Sequence, residues 1–490
     1  MKIPIFAEVF TVYLVAMMGQ KVIGRERESK LLREYVGSVR SELIVVYGRR
    51  RVGKTFLIRE ILGNQTCFYM TGMENANMHD QLANFYFTLR RYYPSAIQPR
   101  SWIEAFDQLQ SYLEKLPKGP KILWLDELPW LDTVRSKFIA ALERFWNGWA
   151  DGRGDIKLIV SGSATSWMMD NILCNRGGLH NRKTHQLYIA PFTLDETRRY
   201  FKAFGFGYRE KEIAECYMVM GGVPYYYSLM NAHESVAQNI DRLFFAKHGE
   251  LHGECDILYR SLFKKADDHI IVISAIAKRN KGLTRKQLLA MTKLNNNHKF
   301  TRTLEELEQC GFIRSYIPFE ETKRDVLFQL TDAFTLFHFH YSNANKYQDE
   351  KFWSNSLNSP RYRAWSGYAF EMLCLNHVTQ LKMALGIIGV QSRVCCWSSK
   401  EEKGHDGAQI DLLIDRADNT INICEMKFWR TEYIVSKADD DDFNNKMEAF
   451  IRQTGTKKSL MLTLVTSYGV KPGKYSGQVQ QQVTLRDLMK

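Results

Sequence analysis

The sequence has no long apolar run beyond its start, no internal repeat and no Cys-x-x-Cys motif. Beyond the first nineteen residues, no segment reaches the roughly 20 apolar residues that a membrane-spanning helix needs. The nine cysteines include no Cys-x-x-Cys pair, and the adjacent Cys395 and Cys396 have poor geometry for sharing a metal ion. We therefore expect free, mostly buried thiols in a reducing compartment, and a cytoplasmic protein without a membrane partner.

The composition is that of a folded protein with several domains. The chain has 490 residues, of which 45% are hydrophobic and 25% are charged, so two to four domains are expected. The net charge of +13 favours anionic partners such as nucleotides or nucleic acid, although it is also compatible with plain solubility. The apolar residues 1–19 are expected to be an extension upstream of a start at Met17 or Met18, with a signal peptide as the alternative.

The stretch LIVVYGRRRVGKTFLIREIL predicts a phosphate-binding loop. Residues 43–47 form an apolar run typical of a buried parallel strand, and an amphipathic helix follows the loop. Glycines let backbone N–H groups surround phosphate oxygens, the lysine reaches the β- and γ-phosphates, and the threonine ligates Mg²⁺. The predicted nucleotide-binding residues of the loop are Gly48, Arg49, Arg50, Arg51, Val52, Gly53, Lys54 and Thr55.

Two further apolar runs end in polar residues that suit the same site. KILWLDELPWLD ends a strand in Asp126, which would hold the Mg²⁺ shell, and Glu127, which could orient the attacking water. IKLIVSGSATSWM ends near Ser163, which could sense the γ-phosphate. Alone, two acids after a strand are usually a solvated loop and a serine there is a common turn; the loop upstream favours the functional interpretation.

These segments together resemble a known family. VIGRERESKLL, GRRRVGKT, LWLDELPWL, SGSATSWM, GGLHNRKT and GGVPYYY occur in an order typical of archaeal-type ATPases, within the AAA-like, STAND-related branch of P-loop NTPases. The resemblance implies ATP as the nucleotide and Arg182 as an arginine facing the phosphates, although LHNR replaces the Leu-Tyr-Gly-Arg of many relatives. It also implies that Gly222 and Pro224 belong to a helical lid that senses the nucleotide, the alternative being a simple turn.

The region after the ATPase predicts a lid and then a winged helix. Three helices are expected from DDHIIVISAIA through FTRTLEELEQCGFI, with Thr284 capping the middle one and a turn at residues 295–297, followed by a hairpin wing. Such modules often bind DNA through a basic helix, but the acidic residues of the last helix make a protein partner an equal alternative. FTLFHFHY is expected to be a strand with His338 and His340 on one face, in a core or interface and not in a metal site.

QIDLLIDRADNTINICEMKFW predicts a hairpin with charges at one end. If Asp411 lies opposite Glu425, paired residue numbers sum to 836 and the turn falls at residues 416–420, where the chemistry suits a turn. Lys427 shares that face with Glu425 because strands have period two. Both faces of the hairpin are otherwise apolar, so the three charges need a reason.

This arrangement resembles the PD-(D/E)xK restriction-nuclease core, and related archaeal-type ATPases carry such a C-terminal domain. The resemblance implies that Asp411 and Glu425 hold a divalent metal, that Lys427 is catalytic and that Glu371 on the preceding helix is an additional acid. The sequence departs from the pattern because Gln409 and Ile410 stand where proline would precede the aspartate. The alternative is a salt-bridged trio that stabilises the end of a sheet.

The predicted fold class is α/β, with a P-loop ATPase of parallel sheet and helical lid, a winged helix and a restriction-nuclease-like α/β domain. The expected function is ATP binding and hydrolysis that move the lid and winged helix and so control a metal-dependent nuclease acting on DNA. The alternative is a nucleotide-controlled binding protein with an inactive nuclease-like domain, and a homo-oligomer is compatible with either. The predicted domains are an extension at 1–19, the ATPase core at 20–195, the lid at 196–255, the winged helix and connector at 256–345 and the nuclease-like domain at 346–490.

Overall fold

The computed structural model describes residues 22–490 apart from 164, 174–181, 264, 280, 321–325, 342–344, 346–348 and 401–406. The chain divides into two compact units. The first runs to residue 190 without residues 49–52, and the second comprises residues 49–52 and 191–490. The predicted extension at 1–19 lies outside the described residues, and the predicted domain limits within the second unit stay predictions.

A five-stranded parallel sheet forms the centre of the first unit, as predicted. Its strands are β1 (Glu42–Tyr47), β2 (Thr66–Thr71), β3 (Lys121–Asp126), β4 (Ile156–Gly162) and β5 (His185–Tyr188). Their order across the sheet is β2-β3-β4-β1-β5, and each neighbouring pair is parallel. Because β4 separates β1 from β3, residues that follow these three strands meet at one edge of the sheet.

Continuous burial explains why these segments form central strands. Every residue of β3 and β4 is buried, as is β1 up to Val46, so burial does not alternate along these strands, and their central residues are apolar. Helices connect them, and one begins with a reciprocal cap between Asn77 and Asp80. The α-helices of the first unit are Glu26–Val36, Lys54–Leu62, Met78–Tyr92, Trp102–Lys115, Leu128–Leu131, Phe138–Phe145 and Thr165–Met168.

The second unit contains two separate sheets among many helices. Its α-helices are Leu194–Ala203, Glu210–Met220, Pro224–Ser228, Val236–Ile240, Glu254–Leu262, Asp267–Ala277, Arg285–Thr292, His298–Gln309, Ala333–Tyr341, Phe352–Ser356, Pro360–Asn376, Val378–Ala384, Lys437–Thr454 and Leu485–Leu488. The smaller sheet consists of β6 (Leu283–Thr284), β7 (Ile313–Tyr316) and β8 (Leu327–Leu330) in the antiparallel order β6-β8-β7. The prediction that Thr284 caps a helix is confirmed, because its side chain accepts a hydrogen bond from the Gln287 N–H.

A mixed five-stranded sheet forms the C-terminal part of the second unit. Its strands are β9 (Ser392–Ser398), β10 (Gln409–Arg416), β11 (Thr420–Lys427), β12 (Ser459–Thr466) and β13 (Gln481–Thr484). The order is β13-β12-β11-β10-β9, antiparallel from β9 to β11 and parallel from β11 to β13. The segment that follows β7 covers the β9 edge, where the Phe319 N–H donates to the Cys396 carbonyl oxygen at 2.8 Å.

The prediction of a strand at FTLFHFHY is wrong, because residues Ala333–Tyr341 form an α-helix. Asp332 begins this helix, and its Oδ2 accepts a hydrogen bond of 2.9 Å from the Thr335 N–H. On a helix His338 and His340 are about 200° apart and do not share a face. In the described part of the chain, no helix is both long and apolar enough to cross a membrane.

Candidate functional site

The predicted phosphate loop connects the end of β1 to the start of the helix Lys54–Leu62. Gly48 has a φ of 147°, and a Cβ atom there would collide with the carbonyl oxygen of Ile189, so the position requires glycine. The Lys54 ammonium is buried and donates to the Gly48 carbonyl oxygen at 3.0 Å. The Lys54 side chain is therefore fixed against the backbone of the loop whose bound phosphates it is predicted to contact.

Thr55 and Asp126 lie together at the same edge of the sheet. The Thr55 hydroxyl donates to Asp126 Oδ2 at 2.8 Å, and the Ser161 hydroxyl donates to Asp126 Oδ1 at 2.5 Å. Asp126 is buried at the end of β3, and Ser161 lies on the neighbouring β4. The structure thus brings together the two oxygen donors that the sequence assigned to Mg²⁺, and both are hard ligands of the kind this cation prefers.

Glu127 and Ser163 also contact each other at this edge. The Ser163 N–H donates to Glu127 Oε2 at 3.1 Å, and the Ser163 hydroxyl donates to Glu127 Oε1. Glu127 has a φ of 47°, a left-handed conformation that costs free energy in a residue other than glycine and that often occurs at functional sites. The contact orients the carboxylate beside Asp126.

Arg182 lies near the amino ends of the parallel strands, whereas the loop follows the carboxyl end of β1. It precedes β5, whose first residue His185 pairs with Ile44, while the loop follows Tyr47 at the other end of β1. Its guanidinium is half exposed and forms an ion pair of 3.3 Å with Asp151, which lies ahead of β4. The structure therefore does not bring Arg182 to the phosphate loop of its own chain, because it stands three residues before the amino end of a parallel strand. Most of the motif around it, residues 177–181, lies outside the described residues.

Arg49 of the loop forms a buried ion pair with Asp332 in the second unit. Its side chain is 3% exposed and that of Asp332 is 2% exposed. The guanidinium also lies 5.1 Å from the ring centroid of Phe312. Burial opposes the charge of Arg49, but the Asp332 carboxylate outweighs it and raises the pKa of Arg49 above its ordinary value. No local pattern marks Asp332 as a partner, because 283 residues separate the two.

Arg51 forms a second ion pair, with the buried Glu254. Glu254 also accepts a hydrogen bond of 3.1 Å from the Tyr226 hydroxyl, and the Arg51 guanidinium lies 4.4 Å from the ring centroid of Tyr225. Both tyrosines follow Pro224, the first residue of the helix Pro224–Ser228. The predicted lid motif therefore supplies contacts to the loop through Tyr225 next to Pro224.

Three further predicted positions of the loop and the lid are Val52, Arg50 and Gly222. Val52 is buried and Arg50 is partly exposed. Gly222 has a φ of 69°, and a Cβ atom there would collide with the carbonyl oxygen of Phe192. The Gly222 carbonyl oxygen accepts a hydrogen bond of 2.6 Å from the Phe192 N–H, so this glycine is required by close backbone packing.

The register of the C-terminal hairpin is the one predicted. Leu412 pairs with Cys424 and Leu413 pairs with Ile423, and both sums are 836. The interior of both strands is buried on both faces, as expected. The β9–β10 register shifts between Ile410 and Leu413, and such bulges often re-aim a side chain at a functional site. Asp411 lies within this irregular stretch.

The charged residues of the hairpin contact one another and also Lys446, which lies outside the hairpin. Lys446 Nζ lies 2.6 Å from Glu425 Oε1 and 2.9 Å from Asp442 Oδ2, while Lys427 Nζ lies 3.8 Å from Glu425 Oε2. The Gln409 amide donates to Asp411. Lys446 lies on the helix Lys437–Thr454, 21 residues beyond Glu425, and nothing in the hairpin pattern indicates it.

Glu371 interacts electrostatically with these acids. Burial, together with the negative charges of Asp411 and Glu425, raises the pKa of Glu371 to about 8. Burial also raises the pKa of Glu425, against the opposing effect of Lys446 and Lys427. The negative charge of Asp411 contributes in the same way to the raised pKa values of Tyr316 and Tyr368, in which burial is the largest cause. The sequence did not indicate that these tyrosines interact with the carboxylates.

The three carboxylates do not converge on one point. Among the residues that the structure describes, no group of three or more histidine, cysteine, aspartate or glutamate side chains is arranged to hold a metal ion. Two pairs of oxygen donors, at Asp411 and Glu425, still suit a hard divalent cation chemically. Lys446 would compete with a cation for Glu425 Oε1.

Comparison with known proteins supports the nucleotide-binding assignment of the first part of the chain. Residues 23–230 match a family described as the ATPase domain predominantly from Archaea. An uncharacterized protein of Methanocaldococcus jannaschii is 26% identical over 398 residues, which cover 80% of this chain and 83% of that protein. The family match supports an archaeal-type, nucleotide-binding ATPase domain in residues 23–230.

Solved structures with partial similarity are also known. The Walker-type ATPase of Pyrococcus abyssi aligns with a TM-score of 0.49 and 18% identity over 65% of this chain and 96% of that chain. The ORC2 protein of Aeropyrum pernix, solved as ADPNP–ADP complexes, aligns with a TM-score of 0.39 and 16% identity over 65% of this chain and 93% of that chain.

Proposed function

We propose that this protein binds and hydrolyses ATP and that its nucleotide state controls a C-terminal domain that acts on DNA. The observation that carries the first part is the contact of Thr55 with Asp126 beside a lysine held across the phosphate loop. Loop N–H groups and Lys54 bind the phosphates, and Glu127 accepts the proton of the attacking water. When bound between Thr55 and Asp126, Mg²⁺ would supply charge neutralisation on the β- and γ-phosphate oxygens.

Binding of a fluorescent ATP analogue to the full chain tests this proposal. Lys54→Ala removes the cation of the loop and is expected to abolish binding, while Arg90→Ala, an exposed change on the helix Met78–Tyr92, leaves it unchanged. Equal binding by the parent protein and Lys54→Ala would refute the nucleotide site.

The segment from Asp267 to Leu330 is proposed to be a winged helix. Its support is the order of elements, with three helices, the short strand β6 ahead of the second helix and the hairpin β7–β8 at the end. DNA is the favoured ligand of the protein because of the charge of +13, and a protein partner is the alternative for this module. Backbone pairing of Phe319 with β9 engages the segment that follows β7, and the helix His298–Gln309 is the proposed surface for a partner.

The C-terminal sheet is proposed to be a nuclease-like domain of the PD-(D/E)xK kind. Its support is the hairpin register together with the electrostatic interaction of Glu371 with Asp411 and Glu425. In an active site, Asp411 and Glu425 would hold the divalent cation, Glu371 would be the additional acid and Lys427 would stabilise negative charge that develops on a phosphate. The cation, when bound, would supply an activated water.

A second candidate function is supported by the contacts of the same residues. Lys446 forms an ion pair with Glu425, and the Gln409 amide donates a hydrogen bond to Asp411. Both carboxylates therefore have a partner in the absence of a metal ion. This favours an ATP-controlled binding protein whose nuclease-like domain does not cleave. Incubation of the full chain with DNA and RNA, with and without ATP and Mn²⁺, separates the two: metal-dependent cleavage that Lys427→Ala abolishes supports the nuclease, and binding without cleavage supports the alternative.

A further inference from the structure

The tip of the phosphate loop, Arg49–Val52, belongs to the second compact unit although its flanking residues belong to the first. Two of its side chains form ion pairs within that unit, Arg49 with Asp332 and Arg51 with Glu254. The backbone of the tip is continuous with Gly48 and Gly53, so its conformation also sets the direction of the backbone N–H groups in the loop.

Both carboxylates are fixed by further hydrogen bonds. Asp332 Oδ2 accepts hydrogen bonds from the N–H and the hydroxyl of Thr335, at 2.9 Å and 2.5 Å, at the start of the helix Ala333–Tyr341. Glu254 is the first residue of the helix Glu254–Leu262 and accepts a hydrogen bond from the Tyr226 hydroxyl. Each acid is therefore held by hydrogen bonds at the start of a helix, and from there it fixes the position of its arginine.

Burial makes these pairs interdependent. A guanidinium that is 3% exposed is retained only when a carboxylate compensates its charge, and loss of one partner leaves the other charge buried and uncompensated. Without Asp332, Arg49 would have to leave its site beside Phe312, and the loop backbone would move with it.

We propose that Asp332 and Glu254 are positioning residues for nucleotide binding, which act through Arg49 and Arg51 to hold the phosphate loop in its phosphate-binding conformation. This inference rests on the proposed ATP-binding function and adds two residues of the second unit to it. Neither acid touches the reacting atoms, so their loss weakens nucleotide affinity and leaves turnover of bound ATP nearly intact.

Asp332→Asn tests the proposal, and Asp241→Asn is its matched control. Asp241 is also buried and also accepts hydrogen bonds at a helix start, from the N–H groups of Trp353 at 2.8 Å and Ser354 at 3.3 Å, but it contacts no residue of the loop in the described structure. The affinity of the full chain for a fluorescent ATP analogue is measured by anisotropy, with kcat and KM for ATP alongside.

Asp332→Asn is expected to weaken binding by about tenfold or more and to raise KM with kcat within about twofold, while Asp241→Asn changes neither constant by more than about twofold. A double-mutant cycle provides a second readout. The variant with both Arg49→Gln and Asp332→Asn is expected to bind no more weakly than the worse single variant, because the two residues act as one unit. Glu254→Gln repeats the test at the other pair, which keeps it decisive where Asp332→Asn fails to fold.

Parent-like affinity in Asp332→Asn and Glu254→Gln would overturn the inference, as would an equal loss in Asp241→Asn or additive effects in the cycle. Lys54→Ala separates this failure from failure of the proposed function. If Lys54→Ala loses binding while the acid variants keep it, only the positioning role is wrong. If Lys54→Ala binds like the parent, the nucleotide site itself is wrong.

Discussion

The Thr55 hydroxyl donates to Asp126 Oδ2 across 2.8 Å, which joins the first turn of the helix after the phosphate loop to the end of β3. Because β4 lies between β1 and β3, this contact spans the width of one strand. It defines the place where the two oxygen donors for a cation meet, next to the lysine of the loop.

Asp126→Asn is expected to weaken ATP binding by about tenfold or more in Mg²⁺ and to have little effect in EDTA, because the amide is a poorer ligand of a hard cation than the carboxylate. The measurement is titration with a fluorescent ATP analogue in both buffers. Asp155→Asn, at the opposite edge of the same sheet beside Lys121, serves as the control. Equal affinities of Asp126→Asn and the parent in Mg²⁺ would contradict the assignment.

Glu127→Gln is expected to keep ATP binding and to lower the hydrolysis rate by about a hundredfold or more, because the attacking water loses its base. Phosphate release gives the rate. Ser163→Ala is expected to have a smaller effect on the same rate, since it removes the hydroxyl hydrogen bond to Glu127 and keeps the backbone N–H one. Hydrolysis by Glu127→Gln at the parent rate would show that another group is the base.

Nucleic-acid binding by the full chain is expected to depend strongly on salt, because basic side chains release counterions from phosphates. About three phosphate contacts would lower the affinity roughly fortyfold between about 50 and 200 mM salt. Anisotropy of labelled duplex and single-stranded DNA measures it. An affinity that stays flat over this range would exclude a surface that tracks the phosphate backbone.

The C-terminal acids are expected to be required for metal binding. Asp411→Ala should remove most of the Mn²⁺ affinity in a calorimetric titration, while Lys427→Ala should spare it and lose cleavage. If the charges are only structural, Asp411→Ala, Glu425→Ala and Lys427→Ala lower the melting temperature and none changes Mn²⁺ binding. Unaltered Mn²⁺ binding by Asp411→Ala would leave the ATP-controlled binding protein as the better explanation.

Glu371 is expected to make stability depend on pH in the absence of metal. Its pKa is raised from 4.5 to about 8 on folding, so its favourable contribution is complete below pH 4.5 and is lost as the pH rises toward 8. Glu371→Gln should therefore be more stable than the parent by about 2–4 kcal/mol at pH 8 and should resemble it near pH 4.5. Urea unfolding in EDTA at both pH values measures this, with exposed Glu305→Gln as the control. Identical pH dependence in Glu371→Gln and the parent would contradict it.

The hairpin register could be predicted from the sequence because local chemistry determines it. The turn residues fix the centre of the hairpin, and a slip of one residue would exchange the faces of both strands. The pairs Leu412–Cys424 and Leu413–Ile423 lie where that reasoning put them. The phosphate loop was predictable for the same reason, since its residues are contiguous and each type has a defined role.

Other features could not be read from local pattern. In FTLFHFHY, His338 and His340 alternate with aromatic residues, which imitates the period of a strand, and the capping pair of Asp332 and Thr335 was the remaining signal for a helix. No local pattern distinguishes Asp332, Glu254 or Lys446 from other acids and lysines. Their partners are distant in the sequence, and only the fold brings them together. The position of Arg182 was carried over from a resemblance, whereas the start of β5 puts it beside Asp151.

The backbone contact between Phe319 and Cys396 has a consequence for the behaviour of separate fragments. β9 is the edge of the C-terminal sheet, and an uncovered edge offers unpaired N–H and C=O groups to any other extended chain. The Phe319 ring packs against Phe450 and extends the cover from the backbone to the apolar core beneath it. A C-terminal domain cut away from the segment that follows β7 would therefore expose a strand edge through which separate molecules can add to one another and aggregate.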